Sequence, residues 1–244
     1  MAKKVKARVI AVMPAYNAAK TIKKTLDDIP KGVVDKVVVV DDGSADKTVL
    51  VAKKLGLEVF THPQNRGYGG NQKTCYTIAL SEGADIVVMI HPDYQYDSSL
   101  TGELIRPILQ NRFDVMLGSR IRTREEVLKG GMPFYKYLSN RFLTFLENLF
   151  LGQNLSEYHT GFRAYTKEIL KKVPFHKYSD DFVFDQQILF GAIAADARIG
   201  EIPVPVRYFP EASSINLQRS AIYGLSILKD LLLYSIIGKE KFLK

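Results

Sequence analysis

Short apolar runs alternate with amphipathic stretches through the first half of the chain. The runs are rich in valine and isoleucine, and they predict buried strands at 7–13, 36–40, 57–61, 85–90 and 113–118. Between them, apolar residues recur at helical spacing and predict helices at about 18–29, 46–55, 71–83 and 99–110. Continuous apolar strands separated by amphipathic helices are typical of a mostly parallel sheet that is covered on both faces. The sequence therefore predicts an α/β fold.

The second half of the chain is less regular. Its apolar patterns predict a helix at 132–152, a strand at 161–165, a helix at 180–194, an extended segment at 198–209 and an apolar helix at about 219–238. Lys229 and Asp230 interrupt the last of these helices. Because no repeat, low-complexity tract or linker separates the two halves, we expect residues 1–244 to form a single domain.

Polar clusters follow three of the predicted strands at their carboxyl ends. The clusters are PAYN at 14–17, DDGS at 41–44 and HPDYQ at 91–95. In open, mostly parallel sheets, ligands bind beyond the carboxyl ends of the strands, close to the point where the strand order reverses. Three clusters that converge on one edge of a sheet are stronger evidence for a binding site than any one of them.

Two loops carry residues that suit a nucleotide, although each also has a plain structural explanation. Asp41 and Asp42 can accept hydrogen bonds from a ribose or a base, but Asp and Ser at such positions also form ordinary helix-capping turns. The glycine-rich stretch at 67–70 can cradle a phosphate, and Arg66 and Lys73 add positive charge. It lacks the residue order of a P-loop or a dinucleotide-binding fingerprint, so the glycines alone are a weak signal.

The third polar cluster suits a divalent cation. Alternate side chains of an extended chain point the same way, so His91, Asp93 and Gln95 can share one ion. A cation that bridges two phosphates takes one or two carboxylates and completes its shell with phosphate oxygens and water. The alternative is that Asp93 and Asp97 cap the next helix and that His91 is structural.

The ordered motifs together resemble those of family 2 glycosyltransferases with the GT-A fold. The motifs are PAYN, VVVDDGS, GYGGN, HPD at 91–93, GSR at 118–120 and TGFRAY at 160–165. The chain is most similar to the dolichol-phosphate mannose synthases and their polyprenyl-phosphate relatives, over about residues 8–215. The resemblance implies a GT-A fold and the inverting transfer of a hexose from a nucleotide-diphosphate sugar. It leaves open whether the donor is a UDP- or a GDP-sugar, and which sugar is transferred.

The resemblance also implies roles on the donor side of the site. The family's Asp-x-Asp-x-Gln motif falls on His91, Asp93 and Gln95, so this chain departs from it at the first Asp. The motif implies Mg²⁺ or Mn²⁺ as the cofactor, with Asp93 as its carboxylate ligand. Ala18 stands where relatives often carry Glu. The residues implied to hold the nucleotide sugar are Pro14, Tyr16, Asn17, Asp41, Asp42, Ser44, Gly67 and Asp93.

The expected acceptor is a polyprenyl or dolichyl phosphate. Such a phosphate is already an anionic nucleophile at neutral pH, so it needs arginines to hold it rather than a strong base. Motif matching assigns Arg120 and Arg163 to this phosphate, and rough position adds Arg207. The alternative is a soluble sugar or protein acceptor, whose hydroxyl requires a general base, and Asp185 is the best candidate for that base. The expected catalytic residues are therefore Asp93, Arg120, Arg163 and Asp185.

The net charge of +8 favours anionic partners of the chain. We expect no nucleic-acid partner, because Asp41, Asp42 and Asp93 would repel a phosphate backbone unless a cation intervened. A nucleotide or nucleic-acid binding module without catalysis is the alternative from a different class of function. A relative that lost its activity through the change at His91 is a further alternative.

Two apolar helices, at 132–152 and about 219–238, predict a peripheral enzyme on the cytoplasmic face of a membrane. The alternative is that both helices pack on the sheet or on a second copy of the chain in a homo-oligomer. Cys75 is the only cysteine, which fits a reducing compartment such as the cytoplasm. No uninterrupted apolar stretch reaches about 18 residues, so we expect no membrane-spanning helix.

Overall fold

A seven-stranded sheet forms the centre of the part of the chain that the computed structural model describes, which is residues 6–121, 123–205, 207 and 217–244. The strands are β1 (Val9–Ala15), β2 (Lys36–Asp41), β3 (Glu58–Thr61), β4 (Ile86–Met89), β5 (Val115–Ser119), β6 (Arg163–Thr166) and β7 (Ile199–Pro203). Their order in the sheet is β3-β2-β1-β4-β6-β5-β7. All neighbours are parallel except β6, which is antiparallel to both β4 and β5. The mostly parallel sheet predicted from the sequence is confirmed.

The three strands that precede the polar clusters lie side by side in the sheet. Ala15 of β1 pairs with Asp41 of β2, and Val12 of β1 pairs with Met89 of β4. The clusters after these strands therefore meet at one edge, as predicted. Because β6 runs in the opposite direction, its amino end and the residues before Arg163 reach the same edge.

Helices cover both faces of the sheet. One apolar core lies between the sheet and helices that include Ile22 and Leu104, and the other lies under helices that include Tyr76 and Phe184. The helices are α1 (Ile22–Asp28), α2 (Thr48–Lys54), α3 (Tyr68–Ser81), α4 (Thr101–Leu109), α5 (Arg124–Lys129), α6 (Phe134–Leu151), α7 (Lys167–Lys172), α8 (Phe184–Ala194) and α9 (Leu217–Ile237). The expectation of helices on both faces of an α/β fold is met.

Several element boundaries differ from the prediction. Helix α3 begins at Tyr68, three residues before the predicted start, and α8 begins at Phe184 instead of 180. The sequence does not predict α5 and α7, each only six residues long, although Thr123 and Thr166 cap them through their side chains. Strand β7 lies within the predicted extended segment 198–209, whose last residues lie partly outside the described part of the chain.

Helix α6 buries a polar stripe beside the inward-packed Leu143, Leu146 and Leu151, and it exposes large apolar side chains. Its buried face includes Asn140, Thr144 and Glu147, which are four and three residues apart. A surface helix normally buries its apolar stripe and exposes its polar one. The outward side chains of α6, between 58% and 64% exposed, are Phe134, Leu138, Phe142, Phe145 and Leu149.

Helix α9 packs beside α6 and extends its exposed apolar surface. Ile227 and Leu231 of α9 are buried in the core, and the buried Asp230 accepts a 2.9 Å hydrogen bond from Gln187 of α8. The stretch Gln218–Ile237 is nevertheless long and apolar enough to span a membrane by length and composition, contrary to the expectation that no helix would be. The outward side chains of α9 are Ile222, Leu225, Leu228, Leu232, Ile236 and Ile237. We call these residues, with the five of α6, the α6–α9 apolar face.

Candidate active site

A cavity of about 380 Å³ opens at the edge of the sheet where the polar clusters meet. Its floor comes from the ends of β4 and β5 and from the segment before β6, and its walls come from α6, α8 and α9. The predicted site residues that line it are His91, Asp93, Gln95, Arg120 and Asp185. The structure therefore brings together the expected metal ligands, one expected acceptor arginine and the candidate base.

The residues expected to hold the nucleotide form a second group, at the adjacent ends of β1 and β2. The backbone N–H of Asn17 donates to Ser44 Oγ at 2.9 Å, and the backbone N–H of Ser44 donates to Asp41 Oδ1 at 3.0 Å. Asn17 also accepts a 2.9 Å hydrogen bond from Ala45 N–H through its side chain. These bonds fix the two loops against each other. Tyr16 is 55% exposed beside them, and Pro14 lies two residues earlier, within β1.

Asp42 has a structural task within this region. It is buried, and its Oδ1 accepts a 2.9 Å hydrogen bond from Arg66 N–H and lies 2.7 Å from His62 Nδ1. Its Oδ2 accepts a 3.1 Å hydrogen bond from Gly67 N–H. Asp42 therefore holds the glycine-rich loop in place, and its carboxylate is engaged by protein groups rather than directed to a ligand.

The prediction of a phosphate cradle at 67–70 is wrong. The N–H groups of Gly69 and Gly70 donate to the carbonyl oxygen of Asp180, at 2.7 and 3.3 Å. A Cβ atom on Gly69 would lie 2.5 Å from the Ser179 carbonyl oxygen, and one on Gly67 would lie 2.7 Å from the Asp180 carbonyl oxygen. The glycines are required because the segment 179–180 packs against the start of α3, and their amide groups are used within the protein.

Asp93 and Gln95 provide the oxygen atoms of the expected cation site. Both side chains line the cavity, and Asp93 Oδ1 accepts a 3.1 Å hydrogen bond from Gln95 N–H. Asp97 caps the following helical turn by accepting from Ser99 N–H, so the next helix does not need Asp93 for this purpose. In the described part of the chain, no three His, Cys, Asp or Glu side chains cluster as a metal site. A carboxylate and an amide oxygen fit a cation that takes its other ligands from a diphosphate and water.

His91 is packed into the wall of the cavity. Its Nε2 lies 3.2 Å from the Tyr68 hydroxyl, and its ring is parallel to the Tyr68 ring at a centroid distance of 5.4 Å. A Cβ atom on Gly161 would lie only 2.8 Å from Nε2. Burial lowers the pKa of His91, although Asp93 and Asp185 oppose this shift. The ring nitrogen is thus occupied by a protein hydrogen bond, which favours a structural role for His91.

Asp185 is held at the cavity wall by two side chains of α3. Its Oδ2 accepts a 2.7 Å hydrogen bond from the Tyr68 hydroxyl, and its Oδ1 accepts a 3.0 Å hydrogen bond from Gln72 Nε2. Arg163 lies beneath it, with a guanidinium nitrogen 3.9 Å from Oδ2. The carboxylate is therefore oriented before any substrate arrives, as a base or a substrate-binding group must be.

The assignment of Arg163 to the acceptor phosphate is wrong. The side chain is 0% exposed, and the described lining of the cavity does not include it. Its guanidinium donates to the carbonyl oxygens of Tyr158, Thr160 and Asp185. A buried guanidinium requires such a set of acceptors. Arg163 supports Asp185 and the segment before β6 from below.

Arg207 also lies away from the expected acceptor position. Its guanidinium is 4.5 Å above the Tyr94 ring and 3.8 Å from Asp28. Its backbone N–H donates to the carbonyl oxygen of Gln95 at 2.9 Å. Arg207 is not among the described residues that line the cavity, and its assignment to the acceptor phosphate stays a prediction. The residue braces the loop that carries Asp93 and Gln95.

Arg120 lines the cavity, and its orientation is fixed by a buried carboxylate. Its Nε donates to Glu157 Oε1 at 2.8 Å, its backbone N–H donates to Glu157 Oε2 at 2.8 Å, and a terminal nitrogen donates to the His159 carbonyl. Burial alone would raise the pKa of Glu157, but Arg120 more than offsets this and holds the pKa below its ordinary value. The ion pair leaves Arg120 at the cavity wall in a defined position.

The sequence patterns do not predict the cavity-lining residues that come from α6 and from the segment before β6. Lys136 and Ser139 of α6 line the cavity, and burial lowers the pKa of Lys136, with a further contribution from Arg120. His159 and Tyr223 line it as well. A signal existed for His159, which directly precedes the TGFRAY motif, whereas nothing in the local pattern of α6 distinguishes Lys136 from a solvated lysine.

The chain matches known glycosyltransferases over most of its length. A protein of Methanocaldococcus jannaschii without an assigned function is 31% identical over 231 residues, which cover 95% of this chain and 93% of that protein. The UDP-N-acetylglucosamine–dolichyl-phosphate N-acetylglucosaminyltransferase of Methanococcus voltae is 29% identical over 239 residues, which cover 89% and 94%. Both relatives are thus similar over nearly their whole length.

Solved structures of glucosyl-3-phosphoglycerate synthase from Mycobacterium tuberculosis share the fold. The complex with uridine diphosphate has a TM-score of 0.72 and 22% identity, and covers 94% of this chain and 80% of that one. A complex with Mn²⁺ and UDP-glucose has a TM-score of 0.71 at 21% identity. The family model Glycosyl transferase family 2 matches residues 10–174. With the mostly parallel sheet and the ordered motifs at its edge, these matches show that the chain is a glycosyltransferase with the GT-A fold and belongs to glycosyl transferase family 2.

Proposed function

We propose that this enzyme transfers a hexose from a UDP-sugar to a polyprenyl or dolichyl phosphate at a membrane surface. The relative from Methanococcus voltae, whose name gives UDP-N-acetylglucosamine as donor and dolichyl phosphate as acceptor, supports the choice of both substrates. A GDP-sugar is the alternative donor. The soluble acceptor of the synthase with a similar fold is not assigned to this chain, because 22% identity supports the fold alone.

The exposed apolar side of α6 is the observation that carries the proposal. Five large apolar side chains face outward on α6 while Asn140, Thr144 and Glu147 are buried. Each large apolar side chain contributes about 1.5–3 kcal/mol when it leaves water, so a face of this size favours an apolar environment strongly. Helices that present such a face to lipid lie in the membrane interface, and the net charge of +8 favours anionic headgroups.

Helices α6 and α9 contribute residues both to the lining of the cavity and to the α6–α9 apolar face. Tyr135, Lys136 and Ser139 of α6 line the cavity, while Leu138 of the same turn points outward. Ala221 of α9 also lines the cavity, and its neighbour Ile222 is exposed. An acceptor could therefore place its phosphate in the cavity and its long apolar chain in lipid. Only the width of these helices separates the two positions.

Arg120 and Lys136 are the cations proposed to hold the acceptor phosphate. Both line the cavity, and Lys136 lies on α6 next to the membrane-facing residues. Arginine presents several N–H donors in a fixed plane, which suits the oxygens of a phosphate. Because Glu157 already binds one edge of the Arg120 guanidinium, the phosphate would meet an arginine that does not need to be ordered first.

The donor would lie across the ends of β1, β2 and β4. Asn17, Asp41 and Ser44 form the fixed pair of loops proposed for the nucleotide, beside the exposed Tyr16. Asp93 and Gln95 would hold Mg²⁺ or Mn²⁺, which stabilises the negative charge of a departing diphosphate when it is bound. Structures with a similar fold contain Mn²⁺ or Mg²⁺ together with UDP, which supports a divalent cation in this family.

The proposed reaction is a single displacement. An oxygen of the acceptor phosphate forms a bond to C1 of the sugar, the bond from C1 to the donor diphosphate breaks, and its electron pair leaves with the nucleoside diphosphate. Attack from the face opposite the leaving group inverts C1. A phosphate dianion has no proton to lose, so Asp185 would bind and orient the sugar in this reaction. With a hydroxyl acceptor, Asp185 would instead have to accept its proton.

Transfer of label from a series of nucleotide sugars tests the proposal directly. The wild-type chain is incubated with labelled UDP-, GDP- or dTDP-sugars, Mn²⁺, and vesicles that contain a polyprenyl phosphate. A thermal-shift screen of the same donors identifies the nucleotide first, because a ligand that binds the folded state raises its apparent stability. Label in the lipid fraction is the expected result. Label found only in water-soluble acceptors would refute the lipid acceptor.

A further inference from the structure

A buried carboxylate on α6 lies beside His159, one of the residues that line the cavity. Glu147 of α6 is 0% exposed, and among the described residues neither of its oxygens has a hydrogen-bond partner of good geometry. His159 Nε2, which also has no hydrogen-bond partner of good geometry among the described residues, lies 3.2 Å from Glu147 Oε2. Burial raises the pKa of Glu147, and His159 partly offsets this. A position that served only packing would favour an apolar residue, since a buried carboxylate costs stability.

His159 connects this carboxylate to the other walls of the cavity. Its Nδ1 lies 2.6 Å from Gln186 Nε2 on α8 and 3.1 Å from the Tyr223 hydroxyl on α9. Its Nε2 faces Glu147 on α6. One imidazole ring is therefore held by three helices. Its own backbone carbonyl accepts a hydrogen bond from Arg120.

Arg120 depends on the short segment that contains His159. Both oxygens of Glu157 accept hydrogen bonds from Arg120, and Oε1 also accepts a 2.9 Å hydrogen bond from Asn140 Nδ2 on α6. Glu157 and the His159 carbonyl, both acceptors for Arg120, thus lie in one short segment. The buried polar face of α6 contacts this segment at Glu157 through Asn140 and at His159 through Glu147.

We propose that Glu147 is a positioning residue for the acceptor phosphate. Through His159 it fixes the segment 157–159, and through that segment it fixes the guanidinium of Arg120. The inference rests on the proposed function, in which Arg120 binds the acceptor phosphate. A preordered guanidinium binds more tightly than a mobile one because less side-chain entropy is lost on binding. Loss of the Glu147 contact leaves His159 held only from α8 and α9, and so loosens the carbonyl that Arg120 binds.

Binding without turnover is the most direct test. A soluble short-chain prenyl phosphate and, separately, UDP are titrated into the full chain by calorimetry. Glu147→Leu is expected to weaken prenyl phosphate binding about tenfold and to leave UDP binding unchanged. Glu147→Gln is expected to restore most of the affinity, because it keeps a polar oxygen of the same shape beside His159 Nε2. The thermal midpoint of Glu147→Leu is expected to stay level or rise, since removal of a buried carboxylate removes its desolvation cost.

Asp230→Leu is the matched control. Asp230 is also a buried carboxylate on one of the two apolar helices, burial raises its pKa, and its partner is Gln187 instead of the segment 157–159. Its substitution is expected to leave prenyl phosphate binding unchanged. Equal affinities in the wild type and Glu147→Leu would overturn the positioning role alone. A wild type that binds UDP but no prenyl phosphate would overturn the proposed function and the positioning role together.

Discussion

The hydroxyl of Tyr68 donates a 2.7 Å hydrogen bond to the carboxylate of Asp185. Burial raises the pKa of Tyr68 far above its ordinary value, and Asp185 raises it further, so the tyrosine keeps its proton and stays a donor. Gln72 donates to the other carboxylate oxygen. Asp185 is therefore held firmly, and each of its oxygens already accepts one hydrogen bond from the protein. This arrangement suits a group that orients a substrate.

Asp185→Asn separates the two classes of acceptor. A phosphate acceptor needs no base, so with polyprenyl phosphate we expect kcat to fall no more than about tenfold, without a change in the pH profile. Steady-state rates across the pH range measure both quantities. A fall of more than about a hundredfold, together with loss of the acidic limb of the profile, would identify Asp185 as a general base and favour a hydroxyl acceptor.

Asp93→Asn tests the cation site. The substitution keeps the shape of the side chain but removes its charge, and a charge contact of about 4 kcal/mol at 4 Å in a protein site corresponds to two or more orders of magnitude in rate. We therefore expect kcat to fall at least about a hundredfold. The Mn²⁺-dependent part of the thermal shift produced by UDP should disappear in the same variant.

Asp97→Asn is the matched control for Asp93. Asp97 lies four residues further on and caps a helical turn through Ser99 N–H. Because Asn caps a helical turn about as well as Asp, its substitution should change stability little. The effect of Mn²⁺ on UDP binding should remain. If both variants lost that effect equally, the loop as a whole and not the Asp93 carboxylate would be responsible.

The positions of Asp93 and Asp41 follow from the sequence because strand ends are local features. Apolar runs end where polar clusters begin, and parallel neighbours bring those ends together. The positions of the arginine side chains cannot be predicted in this way. Arg163 and Arg120 both lie in family motifs, yet one is 0% exposed and the other lines the cavity. Which of them reaches a ligand depends on tertiary contacts with Asp185 and Glu157 that no local pattern contains.

The orientation of α6 could not be read from its sequence for a different reason. Helical spacing separates an apolar set from a polar set, and the usual rule places the apolar set inside. Here Glu157 and His159 follow α6 and require polar partners on its inner face, so Asn140 and Glu147 are buried. Most of the large apolar side chains are thereby turned outward. The pattern predicts two faces, but only the three-dimensional contacts decide which one is buried.

Arg163→Met is predicted to destabilise the fold whichever acceptor is used. Removal of the guanidinium leaves the buried carbonyl oxygens of Tyr158, Thr160 and Asp185 without their donor. Breaking a buried charge pair typically costs about 3–5 kcal/mol, and urea unfolding measures the loss. Lys129→Met is the control, because Lys129 pairs with Glu125 at the surface, where both side chains are about three-quarters exposed, and its loss should change stability little. Equal, small effects of both variants would contradict the buried role of Arg163.

His91 is predicted to make stability fall on the acid side of neutrality. Burial lowers its pKa in the folded state below the ordinary value of 6.5. The unfolded chain therefore binds a proton below about pH 6.5 that the folded chain does not bind, and the free energy of unfolding decreases as the pH falls, by at most about 1.4 kcal/mol per pH unit. Urea unfolding of the wild type and His91→Asn at about pH 7.5 and pH 5.5 should show a smaller decrease in the variant. Parallel decreases would exclude His91 as the cause.

His91 also bears on the choice of metal. Imidazole favours Mn²⁺ over Mg²⁺ when it is a ligand. Because Nε2 lies 3.2 Å from the Tyr68 hydroxyl, we expect His91→Asp to leave the ratio of Mg²⁺- to Mn²⁺-supported activity unchanged. A shift of that ratio toward Mg²⁺ would show that the histidine is a metal ligand and that Tyr68 gives up its contact when the ion binds.

The α6–α9 apolar face is predicted to bind lipid. Leu138 and Phe145 are 59% and 61% exposed on the outer side of α6, and replacing both with Glu places two charges where the face would enter the interface. We expect the double variant to lose cosedimentation with anionic vesicles and to raise KM for vesicle-bound polyprenyl phosphate at least about tenfold. Transfer to a short-chain prenyl phosphate in solution should remain, because neither residue lines the cavity.

Leu50→Glu is the control for this surface. Leu50 is 50% exposed on α2, which packs on the opposite face of the sheet from α9, so its substitution adds a charge without touching the α6–α9 apolar face. It should leave vesicle binding unchanged. Size-exclusion chromatography of the same proteins distinguishes lipid from a second subunit. A wild-type dimer that the double variant converts to a monomer, with unchanged vesicle binding, would show that another copy of the chain covers this face instead of a membrane.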